Sequence, residues 1–377
     1  MNFQRTWAIA RKEFLHVVRD PRSLGMAIAM PMLMLLLFGY ALTLDVDRVP
    51  LVVWDQSGTK ASREFLSHFT GSRYFSLRGY VDTYADIERI IDNREALLAM
   101  VIPRDFSEQI EAGKRVPVQL IADGSDSNTA TIAMGYAKAI TEAYNQQVML
   151  HQIQRFGITP PRQPLDVRAR VWYNADLESR NFIVPGLIAV IMSIIGAMLT
   201  SLTIAREWER GTMEQLISTP VRSPELLFGK LIPYFGVGMC DVVLAMLMGR
   251  FLYHVPLRGS VVLLFATAMI FLTVAATQGM IFSILAKNQL LASQLALMGT
   301  FLPAFLLSGF AFAISNMPIA LQYVTYIVPA RYFVVILKGI YLKGVGVSLL
   351  WGDIALLIVF ATLLLIVANV AFRKKLT

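Results

Sequence analysis

The sequence predicts a mostly α-helical membrane protein with six transmembrane helices and an α/β domain between the first and the second. Of its 377 residues, 56% are hydrophobic and 16% are charged, and the mean hydropathy is +0.56, which is too apolar for an ordinary soluble domain. Six apolar runs each have roughly the 20 residues that cross a bilayer. Lysine and arginine cluster beside these runs, which indicates one preferred membrane orientation.

The amino-terminal segment, residues 1–23, is predicted to form a helix along the cytoplasmic membrane surface. Helical spacing places four apolar residues on one face: Trp7, Ala10, Phe14 and Val17. A simple positively charged anchor for the next span is the alternative. The apolar run that follows, residues 24–44, is long enough to be the first transmembrane helix, which argues against a cleavable signal peptide.

Hydropathy falls over residues 45–180, and this stretch is predicted to be a separate α/β domain. Runs suited to strands alternate with helical patterns. The predicted strands are 49–54, 74–81, 97–102, 116–121 and 167–173. The predicted helices are 62–69, 85–92, 106–111 and 128–154.

Two acidic residues of this domain, Asp123 and Asp126, invite a metal hypothesis. Their run lacks the ligand spacing of a calcium loop, so we interpret it as a turn before a helix. The four histidines of the chain are scattered, and no two have the spacing of metal ligands. We therefore predict no metal site.

Five more apolar runs follow within the membrane part, residues 181–372: 182–205, 231–249, 261–286, 291–314 and 354–372. If the amino terminus is cytoplasmic, thirteen lysine and arginine residues near the spans lie inside and four lie in short outer loops. This count predicts that the tail 373–377 is also cytoplasmic and that the α/β domain is extracytoplasmic.

The stretch 319–340 is apolar enough to be a seventh span. A seventh crossing would move the basic tail outside and would bury Arg331 and Lys338 in lipid. We therefore predict a re-entrant external hairpin over residues 315–345 instead.

A short polar segment, residues 205–233, separates the second and third spans. Gly211 allows the chain to bend, and Thr212 with Gln215 has the spacing of a capping box. Pro220 is expected to end this helix after about two turns. Ser223 is a candidate N-cap for the helix that follows. The pattern predicts a short helix across the cytoplasmic end of a membrane hairpin.

Several motifs in this segment and in the spans resemble the permease subunits of type-2 ATP-binding-cassette exporters, in the bacterial multidrug and lipid-export branch. The motifs around the polar segment are Pro185-Gly186-Leu187, the run REWERGTMEQL from Arg206 to Leu216, Thr219-Pro220, Glu225, Gly229-Lys230 and Pro233-Tyr234. Others are Lys12-Glu13-Phe14, Arg19-Asp20-Pro21, Leu307-Ser308-Gly309-Phe310, Met317-Pro318 and Pro329-Ala330-Arg331-Tyr332-Phe333. The resemblance is looser over the α/β domain.

The resemblance implies that residues 206–222 contain the coupling helix, which seats in a groove of a separate ATP-hydrolysing subunit. The contact set it implies is Arg206, Glu207, Trp208, Glu209, Arg210, Thr212, Met213, Glu214 and Leu216. The alternatives are a solvated charged face and, for Trp208, an anchor at the lipid headgroups. ATP and magnesium would act only through that partner, and this chain would bind no cofactor itself.

The resemblance also implies a dimer of permease subunits in the bacterial inner membrane, in contact with lipid. A periplasmic adaptor is a further partner that it allows. The transport path would be lined by the second and fifth spans, here by Met192, Ile195, Leu199, Phe301 and Phe305. Such a lining suits a hydrophobic or amphipathic solute, drug-like or lipid-like. The same five residues would serve equally well in ordinary packing.

No motif indicates catalysis by this chain. Gly229-Lys230 lacks the spacing of a P-loop, and no local pairing of a nucleophile with a base is present. Nucleic-acid binding is also disfavoured, because the basic residues flank apolar spans rather than alternate with aromatic residues.

Asp241 is an acid well within an apolar span, which makes it a functional candidate or else a hydrogen-bonding partner of a neighbouring helix. Two other classes of function stay open on this sequence. An ion- or proton-coupled secondary carrier would depend on Asp241. A non-transporting envelope assembly factor would depend on residues 45–180.

Overall fold

The computed structural model describes residues 2–41, 47–155, 172–174 and 178–372. The chain divides into two compact units. The first, the membrane unit, comprises Met1–Thr43 and Arg170–Thr377, and the second, the α/β unit, comprises Leu44–Ala169.

The membrane unit begins with helices α1 (Phe3–Arg19) and α2 (Pro21–Ala41). Helix α1 buries one face and exposes another, and the residues of the predicted apolar face divide between them. Thr6, Ala10 and Glu13 are buried, whereas Trp7 and Phe14 are exposed. The buried face packs on a later helix of the membrane unit, and contact of the exposed Trp7 and Phe14 with a membrane surface stays a prediction.

Helix α2 covers most of the predicted first span, and the last three residues of that prediction lie outside the described residues. Its 21 residues are long enough to cross a bilayer. The Tyr253 hydroxyl is within hydrogen-bonding distance of two α2 carbonyls, at 3.0 Å from Leu35 O and 3.1 Å from Leu36 O. This contact ties α2 to the rest of the membrane unit.

The α/β unit alternates strands and helices where the sequence places them. Its elements are β1 (Val49–Asp55), α3 (Lys60–Thr70), β2 (Phe75–Tyr80), α4 (Tyr84–Asp92), β3 (Leu98–Ile102), α5 (Phe106–Glu111), β4 (Gln119–Ala122) and α6 (Ser127–Arg155). The sheet order is β2-β1-β3-β4, with β1 parallel to β2 and β3, and β4 antiparallel to β3. Most of the predicted strand 167–173 lies outside the described residues.

Helices cover both faces of this sheet, which explains why all five residues of β3 are buried. One face packs against α3, α5 and α6 through an aromatic cluster around Phe65, Phe69, Phe106 and Tyr144. The other face packs against α4 through smaller apolar side chains. The unit therefore has a core of its own.

The membrane unit continues with nine α-helices over the described part of residues 178–372. They are α7 (Ser179–Glu209), α8 (Met213–Ser218), α9 (Ser223–Phe251), α10 (Val261–Ala286), α11 (Gln289–Ala296), α12 (Leu302–Leu307), α13 (Ile319–Val324), α14 (Pro329–Lys338) and α15 (Val347–Ala371). A π-helical turn, Leu297–Phe301, joins α11 to α12, and a second one, Gly339–Lys343, follows α14. Short 3-10 turns occupy Ile314–Asn316 and Thr325–Ile327.

Five helical stretches in the described residues are long and apolar enough to cross a membrane: Ser179–Glu209, Ser223–Phe251, Val261–Ala286, Gln289–Leu307 and Val347–Ala371. A sixth is obtained if Ile319–Ile327 and Pro329–Lys343, which meet at an angle of 88°, form one broken span. The described part of α2 adds a shorter apolar helix, Ala27–Ala41. The protein is thus a multi-pass membrane protein, mostly helical, with five to six candidate spans.

The fifth apolar run, predicted over residues 291–314, does not form one helix. Its helix ends at Leu307, and Gly309 adopts a left-handed conformation with φ of 79°. The Lys338 ammonium donates a hydrogen bond of 3.0 Å to the Gly309 carbonyl, so the end of this helix is fixed by the segment predicted as the external hairpin.

Helix α7 lies at the centre of the membrane unit and packs against α10 at very short range. A Cβ atom at Gly279 would collide with the Ala197 carbonyl, so only glycine fits there. The Thr200 hydroxyl donates a 2.7 Å hydrogen bond to Ala276 O, and the Ser283 hydroxyl accepts from two backbone amides of α7. Small residues and shared hydrogen bonds are typical of helix pairs packed inside membranes.

Candidate functional site

The polar segment between the second and third predicted spans forms a tight turn around a short helix. Gly211 has φ of 69°, a left-handed conformation that glycine adopts without strain, and it reverses the chain after α7. Helix α8 then has only six residues. Pro220 follows it, and α9 begins at Ser223.

Neither predicted cap in this segment forms its capping hydrogen bond. Thr212 lies at the N-cap position of α8, but its dihedral angles are helical and its hydroxyl donates to the Glu207 carboxylate. The Ser223 hydroxyl donates to the Phe372 carbonyl at 3.3 Å, and Glu225 accepts from the Arg222 amide at 2.9 Å. In the first case the helical backbone is the reason, because an N-cap residue normally has extended dihedral angles that aim its side-chain oxygen at the amides of the next turn.

The centre of the site is the ammonium group of Lys230, whose residue is only 1% exposed. Its Nζ atom donates to Glu13 Oε1 at 2.7 Å, to Glu207 Oε1 at 3.1 Å and to the Thr203 carbonyl at 3.3 Å. These three acceptors match the three hydrogens of an ammonium group. The triad of Glu13, Glu207 and Lys230 therefore joins α1, the end of α7 and the start of α9.

Glu207 is the most heavily shared member of this triad. It accepts hydrogen bonds from Lys12 at 3.2 Å, from Lys230 and from Thr212. Its side chain is buried, and both carboxylate oxygens are occupied by donors of the same chain. Glu207, which was predicted to contact a partner protein, thus faces into its own subunit.

The last turn of α7 contacts the first residue of α11, Gln289, and the loop before it. Gln289 donates to Glu209 through its backbone amide, at 2.8 Å, and through its side-chain amide. The Arg206 guanidinium is 3.4 Å from Gln289 Oε1. The Lys287 ammonium lies 4.9 Å from the centre of the Trp208 ring, within cation–π range. Three of the predicted contact residues are therefore engaged inside the subunit.

Helix α1 is bound to the start of α9 and to the polar segment. The Asn2 amide donates to Glu225 at 2.6 Å, and Arg5 donates to the Pro220 carbonyl at 2.6 Å. A Cβ atom at Gly229 would lie only 2.7 Å from Ile9 Cβ, so the two helices touch where glycine leaves room.

Helix α8 presents a polar face outward and an apolar residue inward. Met213 is 2% exposed and packs with Ile204, Leu226 and other core residues, whereas Glu214 and Gln215 are exposed. Arg210, in the turn before α8, is exposed as well. A cavity of about 460 Å³ beside the triad is lined by predicted contact residues, namely Arg206, Glu207, Arg210, Thr212 and Leu216.

The five residues predicted to line a transport path lie together, in the main apolar core of the membrane unit. Met192 and Ile195 are buried, and Leu199, Phe301 and Phe305 are partly buried against the same core. The rings of Phe301 and Phe305 are 5.6 Å apart. Within this subunit, Met192 and Ile195 pack against their own chain rather than face an open path.

Asp241 lies in the middle of α9 and is 3% exposed. Neither of its carboxylate oxygens has a hydrogen-bond partner in the described residues. The expected hydrogen bond to a neighbouring helix is therefore not made in this structure. Separately, the described residues contain no cluster of three or more His, Cys, Asp or Glu side chains arranged to bind a metal ion.

Sequence reasoning did not single out Glu13 and Lys230 as partners. A single lysine in the apolar stretch LLFGKLIP was the available signal, because a buried ammonium needs an acidic partner. The local sequence does not say which acid provides it, since Glu13 lies 217 residues away.

Comparisons with known proteins converge on one family. A family model described as an ABC-2 family transporter protein matches residues 21–369. The chain is 39% identical to the "Probable multidrug ABC transporter permease YbhS" of Escherichia coli K12, over 99% of this chain and 95% of that protein. It is 32% identical to YbhR of the same strain, which carries the same description, over 99% of both chains. The "Inner membrane transport permease YhhJ" of that strain is 23% identical, over 88% of this chain and 86% of its own length.

Proposed function

The chain belongs to the ABC-2 family of transporter membrane proteins, and from this membership we propose that it is the permease subunit of an ATP-driven exporter in a bacterial inner membrane. Its solute would be hydrophobic or amphipathic, either drug-like or lipid-like. The hydrolysis of ATP would take place in a separate partner subunit, and two permease subunits would form the pathway. The α/β unit would lie outside and both termini inside.

The observation that carries this proposal is that the short helix α8 has an exposed polar face and a buried apolar residue. Arg210, Glu214 and Gln215 are exposed, whereas Met213 is buried in the core. We propose that the exposed residues contact the ATP-hydrolysing subunit and that Glu207 and Met213 position the helix.

A displacement of α8 would be transmitted to three helices, α7, α9 and α1. Helices α7 and α9 flank it in the chain, and the Lys230 ammonium links both of them to Glu13 of α1. This arrangement suits alternating access, in which a partner moves α8 and thereby α7 and α9 together. The partner must contact the two states differently for such a shift to occur.

The test combines co-purification with a charge reversal. The full-length chain is purified from its native membrane in mild detergent, and the intact complex is weighed by native mass spectrometry. We expect a P-loop ATPase in stoichiometric amount with the wild type. Glu214→Arg should weaken this association or uncouple ATP hydrolysis from export, at an unchanged amount of protein in the membrane.

The matched control is Glu88→Arg, which reverses an exposed acid on α4 of the α/β unit. It should leave both association and export unchanged. A Glu214→Arg variant that exports normally at wild-type abundance would contradict the coupling role of α8.

The unpartnered Asp241 supports a second candidate, an ion- or proton-coupled carrier. That function predicts transport which persists without any ATPase subunit and is lost in Asp241→Asn. Export that requires the ATPase subunit and survives Asp241→Asn would exclude it.

A further inference from the structure

The α/β unit contains a cleft of about 890 Å³ on one face of its sheet. The cleft lies between α6, the end of α5 and the loop that leads into β4. Its volume falls within the range of sites for small organic ligands, roughly 300 to 1,000 Å³. All its lining residues belong to this unit.

The floor of the cleft is apolar. Phe65, Phe69, Met100 and Phe106 are almost fully buried beneath it, and Tyr144 is a fourth aromatic residue of the floor. Two methionines of α6 at the cleft remain open to solvent, Met134 with 40% and Met149 with 57% of its surface exposed. Flexible methionine side chains adapt to apolar ligands of varied shape.

The rim of the cleft is cationic. Lys114 and Arg115 in the loop and Lys138 on α6 line it, against a single acid, Glu142. All three cations are exposed, and none forms a salt bridge with another residue in the described part of the chain. Three cations against one acid give the rim a net positive charge, which would attract an anion.

We propose that the α/β unit binds an anionic amphiphile with a single hydrocarbon chain, such as a fatty acid carboxylate. The chain would lie on the aromatic floor and the anionic head at the rim of Lys114, Arg115 and Lys138. The rim disfavours a cationic amphiphile, and the floor disfavours a purely polar anion. This site does not depend on the role of α8, so it stands or falls separately from the proposed export function.

The experiment uses the full-length chain in nanodiscs of uncharged phosphatidylcholine. The probe is palmitic acid that carries a photoreactive diazirine on its chain, and cross-linked peptides are mapped by mass spectrometry. We expect labelling of residues 113–118 and 134–149. The same chain attached to a neutral glycerol ester, or to an amine, should label these peptides about tenfold less.

Two variants test the floor and the rim separately. Lys114→Glu with Lys138→Glu reverses two exposed charges and should lower the labelling by the fatty acid about tenfold. Met134→Trp narrows the cleft and should lower the labelling by all three probes. The control Lys60→Glu reverses an exposed charge on α3, away from the cleft, and should label like the wild type.

Three results would overturn the proposal. The first is labelling that does not distinguish the acid from the ester and the amine. The second is labelling confined to the membrane helices. The third is an unlabelled cleft in a folded protein, as would occur if a segment of this chain or another protein already covered it.

Discussion

The ammonium of Lys230 lies 2.7 Å from the carboxylate of Glu13, and both side chains are almost completely buried. Glu13 belongs to the amino-terminal helix α1, and Lys230 belongs to the first part of α9. Because Glu207 completes the group from α7, three elements that are distant in the chain meet at one charged point. Each of them can move only if the others follow or if the ion pairs break.

Lys230→Met is expected to destabilise the protein strongly. It leaves Glu13 buried without its cation and leaves Glu207 paired only with Lys12, and loss of one partner from a buried ion pair typically costs about 3–5 kcal/mol. The thermal transition of the purified protein, followed by tryptophan fluorescence, should fall clearly. Adding Glu13→Gln and Glu207→Gln to this variant should recover part of the loss, whereas an unchanged transition in Lys230→Met alone would show that the triad adds no stability.

Gly279→Ala is expected to disrupt the packing of α7 against α10. The added methyl group would meet the Ala197 carbonyl and the Thr200 hydroxyl, so the helices would have to separate. Overpacking of a close contact typically costs about 1–3 kcal/mol. The measurement is the fraction of monodisperse protein after heating. The control is Gly236→Ala on α9, because its new methyl group would meet no atom within 4 Å. Equal behaviour of the two variants would mean that α7 and α10 are less tightly apposed than described.

Asp241→Leu is expected to stabilise the protein. A buried polar group without a partner costs about 1–3 kcal/mol, and an apolar side chain of similar size removes that cost. The thermal transition should therefore rise. A lower transition would indicate that Asp241 does have a stabilising partner in the assembled transporter.

Surface labelling of single cysteines tests the proposed orientation. The native Cys240 is exposed and is first replaced by alanine. Glu88→Cys in the α/β unit should then react with a membrane-impermeant maleimide in intact cells. Gln215→Cys on α8 should react only after the membrane is permeabilised, and the reverse pattern would invert the whole arrangement.

The long helices were well predicted from hydropathy, because a run of about 20 apolar residues is typical of a transmembrane helix. The run 261–286 coincides with α10, and the other runs agree with α7, α9 and α15 to within several residues. Helix α7 continues to Glu209, past the predicted end at residue 205. Its last polar turn is held by Gln289 and Lys287, and hydropathy carries no information about such distant partners.

The site was predicted less completely than the helices. The short helix and both of its ends were predicted from local sequence. Gly211 permits the left-handed bend before the helix, and Pro220 cannot continue a helix. Whether Glu207 faces outward or inward depends on Lys230 and Lys12, which lie on other helices. The predicted capping by Thr212 failed because its backbone is helical rather than extended, and its hydroxyl donates to Glu207 of the preceding helix.

The length of α7 would make it a long lever arm for a partner bound at α8. Its 31 residues extend about 46 Å, which exceeds the thickness of a hydrocarbon layer, about 30 Å. A tilt of about 5° around its far end would displace its last turn by about 4 Å, as a lever arm amplifies a small rotation. Conversely, a displacement of that size at α8 requires only a slight rotation between the packed helices.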